Sequence, residues 1–151
     1  MPLWQIYHPP TTFTTPASRA PLAAALTALY TAIGLPAFYV VVLFHPLPDA
    51  DTYVGGVAGA DLARPFIRLV GNHVAVKMPD EDAYYAQFCG RLNEALKPHI
   101  EDKGYDWEYH VDETERRLWR IQGLYPPPHG SEEEKGWVQE NKASVWEEMK
   151  V

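Results

Sequence analysis

An internal repeat constrains the fold of this chain more than any other feature. Two segments, Pro2–Tyr7 and Pro65–Val70, share one order of residues: a proline, two apolar residues, a polar residue and two more apolar residues. They lie 63 positions apart, and the same shift carries Pro16 onto Pro79. Proline is tolerated at the first residue of a strand and at the first position of a helix. The repeat therefore predicts two copies of a unit in which a strand precedes a helix.

Helical periodicity follows Pro16 and Pro79. Thr15 is a favourable N-cap for the first helix, Pro21 predicts a kink, and Gly34 with Pro36 beyond it marks the end. Apolar side chains recur in this helix at Leu22, Leu26, Leu29 and Ile33. The second helix is predicted from about Asp80 to Lys97, with Gly104 closing it. Its candidate buried residues are Tyr84, Tyr85, Phe88, Leu92, Leu96 and Ile100.

A further strand is predicted after each helix. The segment Phe38–Phe44 is apolar at every position, which predicts a strand covered on both faces. The segment Trp107–Val111 alternates more, so one of its faces is expected to contact water. Each half then reads strand–helix–strand, a crossover unit whose two strands are parallel and whose connection is right-handed. Residues 49–63, which contain Gly55 and Gly56, link the two halves.

Residues 112–151 lie outside the repeat. The segment Leu124–Pro128 is typical of a stiff polyproline arm, and Ser131 begins a last helix with acidic residues at its positive end. A partly apolar stripe is predicted on this helix at Trp137, Val138, Asn141, Val145 and Met149. The arm and helix pack either on a neighbouring molecule or on the core of their own chain, and the sequence leaves both open.

Composition excludes several classes of protein. With 13 basic and 20 acidic residues the formal net charge is −7, which disfavours nucleic-acid binding. Cys89 is the single cysteine, so a disulfide framework and a cysteine-based zinc site are excluded. None of the six histidines has the spacing of a metal site, and no apolar run approaches the roughly 18 residues of a membrane span. No secretory signal is recognisable, so we expect a cytoplasmic protein without membrane, metal or cofactor.

Pro2 is the first candidate for chemistry. A methionine before a small residue is normally removed, which would leave the secondary amine of Pro2 at the start of a buried strand. An α-amino group has a pKa of about 7.7–8.0 in a free peptide, and burial lowers it because the charged form loses its hydration. Such an amine can act as a general acid or base at neutral pH. The alternative is that a Met-Pro start has no functional meaning.

Four short motifs carry a resemblance to a known family. They are Thr15–Ser18, Val54–Val57, Trp107–Tyr109, and Leu124–Pro126 with Gly130 shortly after. Together with the amino-terminal proline and the duplicated unit, their order resembles the tautomerase superfamily over most of the chain. Within it, the chain is most similar to the cis-chloroacrylic acid dehalogenase group.

The resemblance implies roles for individual residues. Pro2 matches the catalytic proline, Tyr109 matches a tyrosine that orients water, and Lys77 falls where the family has a carboxylate-binding arginine. A second such arginine has no clear counterpart, although Arg68, Asn72 and His73 lie nearby. Tyr30 stands in the place of a histidine, and Arg120 in that of a glutamate that polarises water.

The same resemblance implies a fold and a function. We expect an α+β fold in which two β-α-β units, residues 2–46 and 64–111, form one four-stranded sheet with both helices on one face. Residues 112–151 extend this single domain, residues 1–151. The implied assembly is a homotrimer with sites near Pro2 at subunit boundaries.

The expected activity is proton transfer or hydration on a small unsaturated or 2-oxo carboxylic acid, without a cofactor. Pro2 would be the acid or base, and Lys77, with Arg120 or His73, would bind the carboxylate. Tyr30 and Tyr109 would shape the pocket. Two alternatives remain: a non-catalytic oligomeric protein with the same fold, and a ferredoxin-like dimer of the monooxygenase or stress-response type.

Overall fold

Two β-α-β units follow one another along the chain in a computed structural model that describes residues 2–147. The strands are β1 (Leu3–His8), β2 (Val41–Pro46), β3 (Tyr53–Val54), β4 (Val57–Ala58), β5 (Phe66–His73) and β6 (Asp106–Glu113). The α-helices are α1 (Pro16–Thr31), α2 (Asp82–Leu96) and α3 (Glu132–Glu140). β3 and β4 form a small hairpin in the link between the two units.

The remaining four strands form one sheet in the order β2-β1-β5-β6. β1 is parallel to β2 and β5 is parallel to β6, whereas the central pair, β1 and β5, is antiparallel. This confirms the predicted fold class. Because the central pair is antiparallel, the beginnings of β1 and β2 lie at the same end of the sheet as the last residues of β5 and β6.

α1 and α2 cover one face of the sheet. On that face Trp4 and Ile6 of β1 and Ile67 and Leu69 of β5 are fully buried. They form one core cluster with leucines of the helices, namely Leu22, Leu26, Leu92 and Leu96. The alternate residues of both strands point to the opposite face and are only partly buried. Among the helices of residues 2–147, none is long and apolar enough to cross a membrane.

The two helices begin differently. α1 begins at Pro16 behind Thr15, which forms a capping box with Ser18, and it is continuous through Pro21. α2 begins at Asp82, three residues after Pro79, so the prediction that Pro79 opens a helix is wrong. The reason is that Glu81 is extended, at φ −140°, and its carbonyl accepts the first bond of the helix from Tyr85.

The strand predicted over residues 38–44 begins later than expected. Ala37–Tyr39 form a 3₁₀ turn, and β2 starts only at Val41. β2 is also an edge strand, and one of its faces is open within one chain, since Leu43 is 41% exposed. An unbroken apolar run therefore marked a strand correctly but did not reveal its place in the sheet.

The C-terminal extension packs on the core of its own chain. Trp119 and Trp137 are buried there, and Trp137 contacts Phe38. The predicted N-cap Ser131 is confirmed, since its hydroxyl accepts from the Glu134 N–H. The helix ends at Glu140, before the left-handed Asn141, so Asn141 and Val145 are not part of a helical stripe. Met149 lies outside the described residues.

Gly71 of β5 lies directly beneath the indole ring of Trp4. A Cβ atom at position 71 would come within 2.8 Å of the ring. Because Trp4 is fully buried, the ring has no free space to move into. We expect Gly71→Ala to lower the free energy of unfolding by about 1–3 kcal/mol, as overpacked cores do.

Gly90→Ala on α2 is the matched control for urea unfolding of Gly71→Ala. A Cβ at position 90 has no heavy atom within 4 Å, and alanine favours a helix interior by about 0.5–1 kcal/mol. The two substitutions should therefore change stability in opposite directions. A stability of Gly71→Ala equal to or above wild type would contradict the contact with Trp4.

Candidate active site

Pro2 lies at the end of the sheet where β1 begins. Its side chain is buried, and its carbonyl accepts a hydrogen bond from the Val41 N–H at 2.9 Å. Leu3 lies opposite Val41 on one side and Asn72 on the other, so Pro2, one residue earlier, lies next to His73. The backbone pairing on both sides holds Pro2 at a fixed position.

His73 is the last residue of β5 and is almost fully buried. Its Nε2–H donates to the carbonyl of Val76, which leaves Nδ1 as an unprotonated acceptor without a partner among the described residues. Burial lowers the pKa of His73, and the hydrogen bond to Val76 offsets this only in part. The ring is therefore neutral at neutral pH.

Tyr30, in the last turn of α1, stacks on the His73 ring with 5.8 Å between ring centroids. Burial raises the pKa of Tyr30 to about 12, while the Trp4 indole lowers it slightly. The phenol consequently stays protonated at neutral pH and can donate a hydrogen bond. Tyr30 and His73 thus supply a donor and an acceptor in a dry environment.

A cleft opens beside this pair, between α1 and α2. Its volume is about 390 Å³, counting the space open to solvent. The lining residues are Leu29, Tyr30, Ile33, His73, Val76, Tyr84, Phe88 and Arg91. Pro2 does not line the cleft, and His73 is the residue that connects them. The enclosed part of the cleft, about 20 Å³, has room for about one water molecule.

Lys77 lies beyond the end of β5 but outside the cleft. It is exposed and shares a separate hollow with Glu113 and Glu115. The loop that carries it is fixed by a 3.0 Å hydrogen bond from the Met78 N–H to Glu113 Oε2. Lys77 is therefore at the same end of the sheet as Pro2.

Arg120 turns back onto its own segment. Its guanidinium donates to the carbonyls of Arg117 and Trp119 and lies 4.7 Å from the centre of the Tyr125 ring. These contacts hold the side chain beside the backbone of the C-terminal extension.

The structure does not bring Arg68 or Tyr109 next to Pro2 within one chain. Arg68 lies opposite Tyr7 in the sheet, on the face that carries no helix, and pairs with Glu108. Tyr109 lies opposite Leu69 and donates to Asn93 Oδ1 at 3.0 Å. Burial raises the pKa of Tyr109, and Cys89 adds to this effect. Arg68 is five positions before His73 along β5, and Leu69, the neighbour of Tyr109, is four positions before it.

A known protein family matches this chain over most of its length. Residues 1–142 match a protein family described as "Putative oxalocrotonate tautomerase enzyme". The chain belongs to this tautomerase family. No protein of curated function matches the chain in sequence.

Solved structures place the tautomerase fold over nearly the whole chain. RhCC from Rhodococcus jostii RHA1 is 41% identical, with a TM-score of 0.88 over 95% of this chain and 99% of that one. A protein of Aspergillus fumigatus described as "a probable enzyme" is 42% identical, with a TM-score of 0.86 over 97% and 98% of the two chains. A fused 4-OT is 23% identical over 82% of this chain and 94% of that one; its TM-score of 0.63 shows the fold alone.

Arg116 is a residue of the C-terminal extension that the sequence analysis did not single out. Its neighbour Arg117 is exposed and pairs with Glu115. The Arg116 guanidinium donates to three carbonyl oxygens, one in the loop after β5 and two in the arm, namely those of Ala75, Pro126 and Pro127. It also lies over the rings of Trp119 and Tyr125. Arg116 therefore ties the proline arm to the end of the sheet.

Glu134 is a second residue that the sequence did not reveal. It is 1% exposed, and its Oε2 accepts from the Gly130 N–H at 2.8 Å and contacts His129 Nδ1 at 2.9 Å. Its Oε1 has no hydrogen-bond partner within residues 2–147. In the sequence, Glu134 belongs to a run of three glutamates, which is typical of a solvated helix start. Only its spacing from Ser131, which is that of a capping box, indicates a further role for Glu134.

Within residues 2–147, no group of three or more histidine, cysteine, aspartate or glutamate side chains is arranged to hold a metal ion.

Arg116→Lys should loosen the proline arm. Lysine keeps the charge but loses the planar fork that reaches three carbonyls at once. We expect the free energy of unfolding to fall by about 1–3 kcal/mol, the cost of leaving buried acceptors unpaired. Urea unfolding measures this, and faster chymotrypsin cleavage after Trp119 or Leu124 would report the local loosening.

Arg117→Lys is the adjacent control, because Arg117 is exposed, and it should change stability by less than about 0.5 kcal/mol. Equal effects of the two substitutions would show that Arg116 does not anchor the arm.

The buried histidines predict how stability depends on pH. Burial lowers the pKa of both His8 and His73 below the usual 6.5 in the folded protein. Above pH 6.5 they are neutral in both states and contribute nothing. Below it, the unfolded chain binds protons that the folded chain does not, so the free energy of unfolding falls until the folded-state pKa values are reached.

Urea unfolding from pH 8 to pH 5 tests this dependence. His73→Phe should show a shallower fall below pH 6.5 than wild type, because one of the histidines with a lowered pKa is gone. A free energy of unfolding that stays constant or rises between pH 6.5 and pH 5 would contradict the burial of neutral rings.

Proposed function

We propose that this protein is a cofactor-independent tautomerase of small 2-oxo or unsaturated carboxylic acids, with Pro2 as general acid and base. The observation that carries the proposal is the buried position of Pro2, fixed by pairing with Val41 on one side and neighbouring His73 on the other. Membership of a family named for oxalocrotonate tautomerase supports the same chemistry.

The proposed reaction needs only a movable proton. With Met1 removed, the neutral Pro2 amine takes a proton from the carbon next to the carbonyl of the substrate. The C–H electron pair forms the C=C bond, and the carbonyl π pair moves to oxygen as an enolate. The protonated amine then gives its proton to that oxygen, so that the enol forms and the amine is restored. In reverse, the same steps convert an enol to its keto form.

Tyr30 and His73 suit the charge changes of this reaction. The protonated phenol of Tyr30 can donate a hydrogen bond to the developing enolate oxygen, where such donors stabilise the transition state most. The neutral His73 ring adds no positive charge and leaves Nδ1 as an acceptor. Lys77 lies at the same sheet end and, as the family resemblance implies, is a candidate for the substrate carboxylate.

We further propose that the working form is a homotrimer. A fused 4-OT that is 22% identical is described as an asymmetric trimer. The sheet face without helices carries half-buried or exposed apolar residues, including Leu43 and Val70, which another subunit would cover. Arg68 and Tyr109 could then contribute to a site only from a neighbouring subunit.

Hydration or dehalogenation is less well supported than tautomerisation. Arg120 occupies the position where the cis-chloroacrylic acid dehalogenases, as the resemblance implies, have the glutamate that polarises water. The Arg120 side chain is directed to backbone carbonyls and offers no carboxylate. We therefore place tautomerisation first.

Adding one residue before Pro2 tests the proposal directly, because the amine becomes an amide. Positioned acid–base groups contribute about 10²–10⁴ in rate, so we expect kcat/KM for ketonisation of the phenylpyruvate enol to fall at least about a hundredfold. Ultraviolet absorbance follows the enol. Pro2→Ala should cause a smaller loss, because an N-terminal alanine still carries a primary amine.

Pro10→Ala is the matched control, since Pro10 is exposed beyond the far end of β1 and should keep wild-type rates. Intact mass should show that the initiator methionine is absent from the purified protein. Wild-type turnover after the added residue would refute the proposed role of the amine, and no turnover by the wild type would favour a non-catalytic protein with the tautomerase fold.

A further inference from the structure

Nδ1 of His73 is a buried hydrogen-bond acceptor that no group within residues 2–147 satisfies. The side chain that carries it is only 3% exposed, so bulk solvent does not surround it. Buried polar atoms are nearly always paired with a protein group or with an internal water molecule, because an unmade hydrogen bond is costly there. We therefore expect a further partner at this nitrogen.

Three contacts hold the His73 ring in one orientation. Its Nε2–H donates to the carbonyl of Val76. Tyr30 from α1 stacks on the ring with 5.8 Å between centroids, and Phe88 from α2 meets it edge-on with 6.1 Å between centroids. A rotation that brought Nδ1 to another protein group would break the bond to Val76. The partner of Nδ1 must therefore come to the ring.

The cleft between α1 and α2 offers a space of the right size beside this ring. Its enclosed part is about 20 Å³, which exceeds the roughly 10–15 Å³ that one water molecule needs and is too small for a substrate. Tyr30, His73 and Arg91 contribute polar side chains to the lining, and a buried water molecule typically makes about three hydrogen bonds. Size and chemistry both suit a single water molecule.

We infer that one ordered water molecule occupies the enclosed part of this cleft, donates a hydrogen bond to Nδ1 of His73 and makes His73 a positioning residue for Pro2. The second part rests on the proposed function. His73 lies next to Pro2 in the sheet, and the water molecule fixes its ring from the second nitrogen. Pro2 becomes positively charged during the proposed reaction, and a water dipole on the far side of His73 partly replaces the hydration that burial removes.

Nitrogen NMR of protein labelled with ¹⁵N-histidine tests for the water molecule in the wild type. An unprotonated imidazole nitrogen resonates at lower frequency when it accepts a hydrogen bond, and His73→Phe identifies the signals of His73. We expect Nδ1 to be unprotonated and shifted to lower frequency, and a high-resolution crystal structure to show a water molecule about 2.7–3.2 Å from it. The frequency of an unbonded nitrogen, with no water molecule at that distance, would overturn the inference.

Val76→Ile tests the positioning role, because it adds one methyl group to the lining of the cleft and should displace the water molecule. We expect kcat for the phenylpyruvate enol to fall about two- to tenfold, the rate equivalent of one hydrogen bond, with KM nearly unchanged. Val138→Ile on α3 is the matched control, since Val138 is 38% exposed and does not line the cleft. Loss of the water molecule with a wild-type kcat would overturn the positioning role.

The pH dependence of kcat/KM distinguishes this role from a purely structural one. The other titratable or charged groups that face His73 are Tyr30 from α1, Arg91 from α2 and Glu113 opposite it in β6, and Val76→Ile changes none of them. Removing a water dipole from the surroundings of a buried amine favours its neutral form. The acid limb of the profile should therefore move to lower pH in Val76→Ile, and a limb at the wild-type pH would contradict an effect on Pro2.

The variant with one residue added before Pro2 separates this inference from the proposed function. Loss of turnover in that variant, together with an Nδ1 of His73 that accepts no hydrogen bond, means that the tautomerase proposal holds and the inference fails. Wild-type turnover in that variant means that the tautomerase proposal fails, and the positioning role fails with it. The ¹⁵N signal of Nδ1 then decides the water site without reference to activity.

Discussion

The antiparallel pairing of β1 with β5 is the constraint on which the rest of this structure depends. It joins the two β-α-β units into one sheet and places the residue before the first strand beside the last residue of β5. Pro2 and His73, 71 positions apart in sequence, become neighbours as a result. Trp4 and Gly71 lie opposite each other in the same strand pair, and their contact leaves no room for a side chain at position 71.

A second layer of contacts surrounds that end of the sheet. Tyr39 packs against Trp119 with 4.9 Å between ring centroids, and Arg116 ties the proline arm to the carbonyl of Ala75. These groups come from segments far apart in sequence and form a largely dry environment. A dry environment has a chemical consequence, because it favours neutral over charged forms of an amine, an imidazole and a phenol.

The sequence predicted the parts of the fold that local patterns determine. The proline-led repeat predicted both β-α-β units, and Thr15 predicted the start of α1, because strand openings and helix caps depend on neighbouring residues. The sequence wrongly predicted that β2 is covered on both faces. An apolar run looks the same whether the same chain or another molecule covers it. The position of Arg68 could have been predicted, because it alternates with the buried Ile67 and Leu69 and therefore faces away from the helices.

Arg116 and Arg91 show why the candidate site was harder to predict. The partners of Arg116 are carbonyl oxygens, which every residue carries, so no pattern of side chains marks them in the sequence. Arg91 lines a cleft together with residues of α1 and of the loop after β5. Only the folded chain brings these segments together, so the sequence does not mark Arg91 as a cleft residue. Pro2, by contrast, could be singled out as a candidate because a Met-Pro start is visible in the sequence itself.

The central claim is that the amine of Pro2 is uncharged near neutral pH because it is buried. Nitrogen NMR of protein labelled with ¹⁵N-proline measures this most directly, by following the Pro2 nitrogen as pH is varied. The account predicts a titrating secondary amine with a pKa below the roughly 7.7–8.0 of a free α-amino group. A pKa at or above that range, or a Pro2 nitrogen that behaves as an amide at every pH, would contradict it.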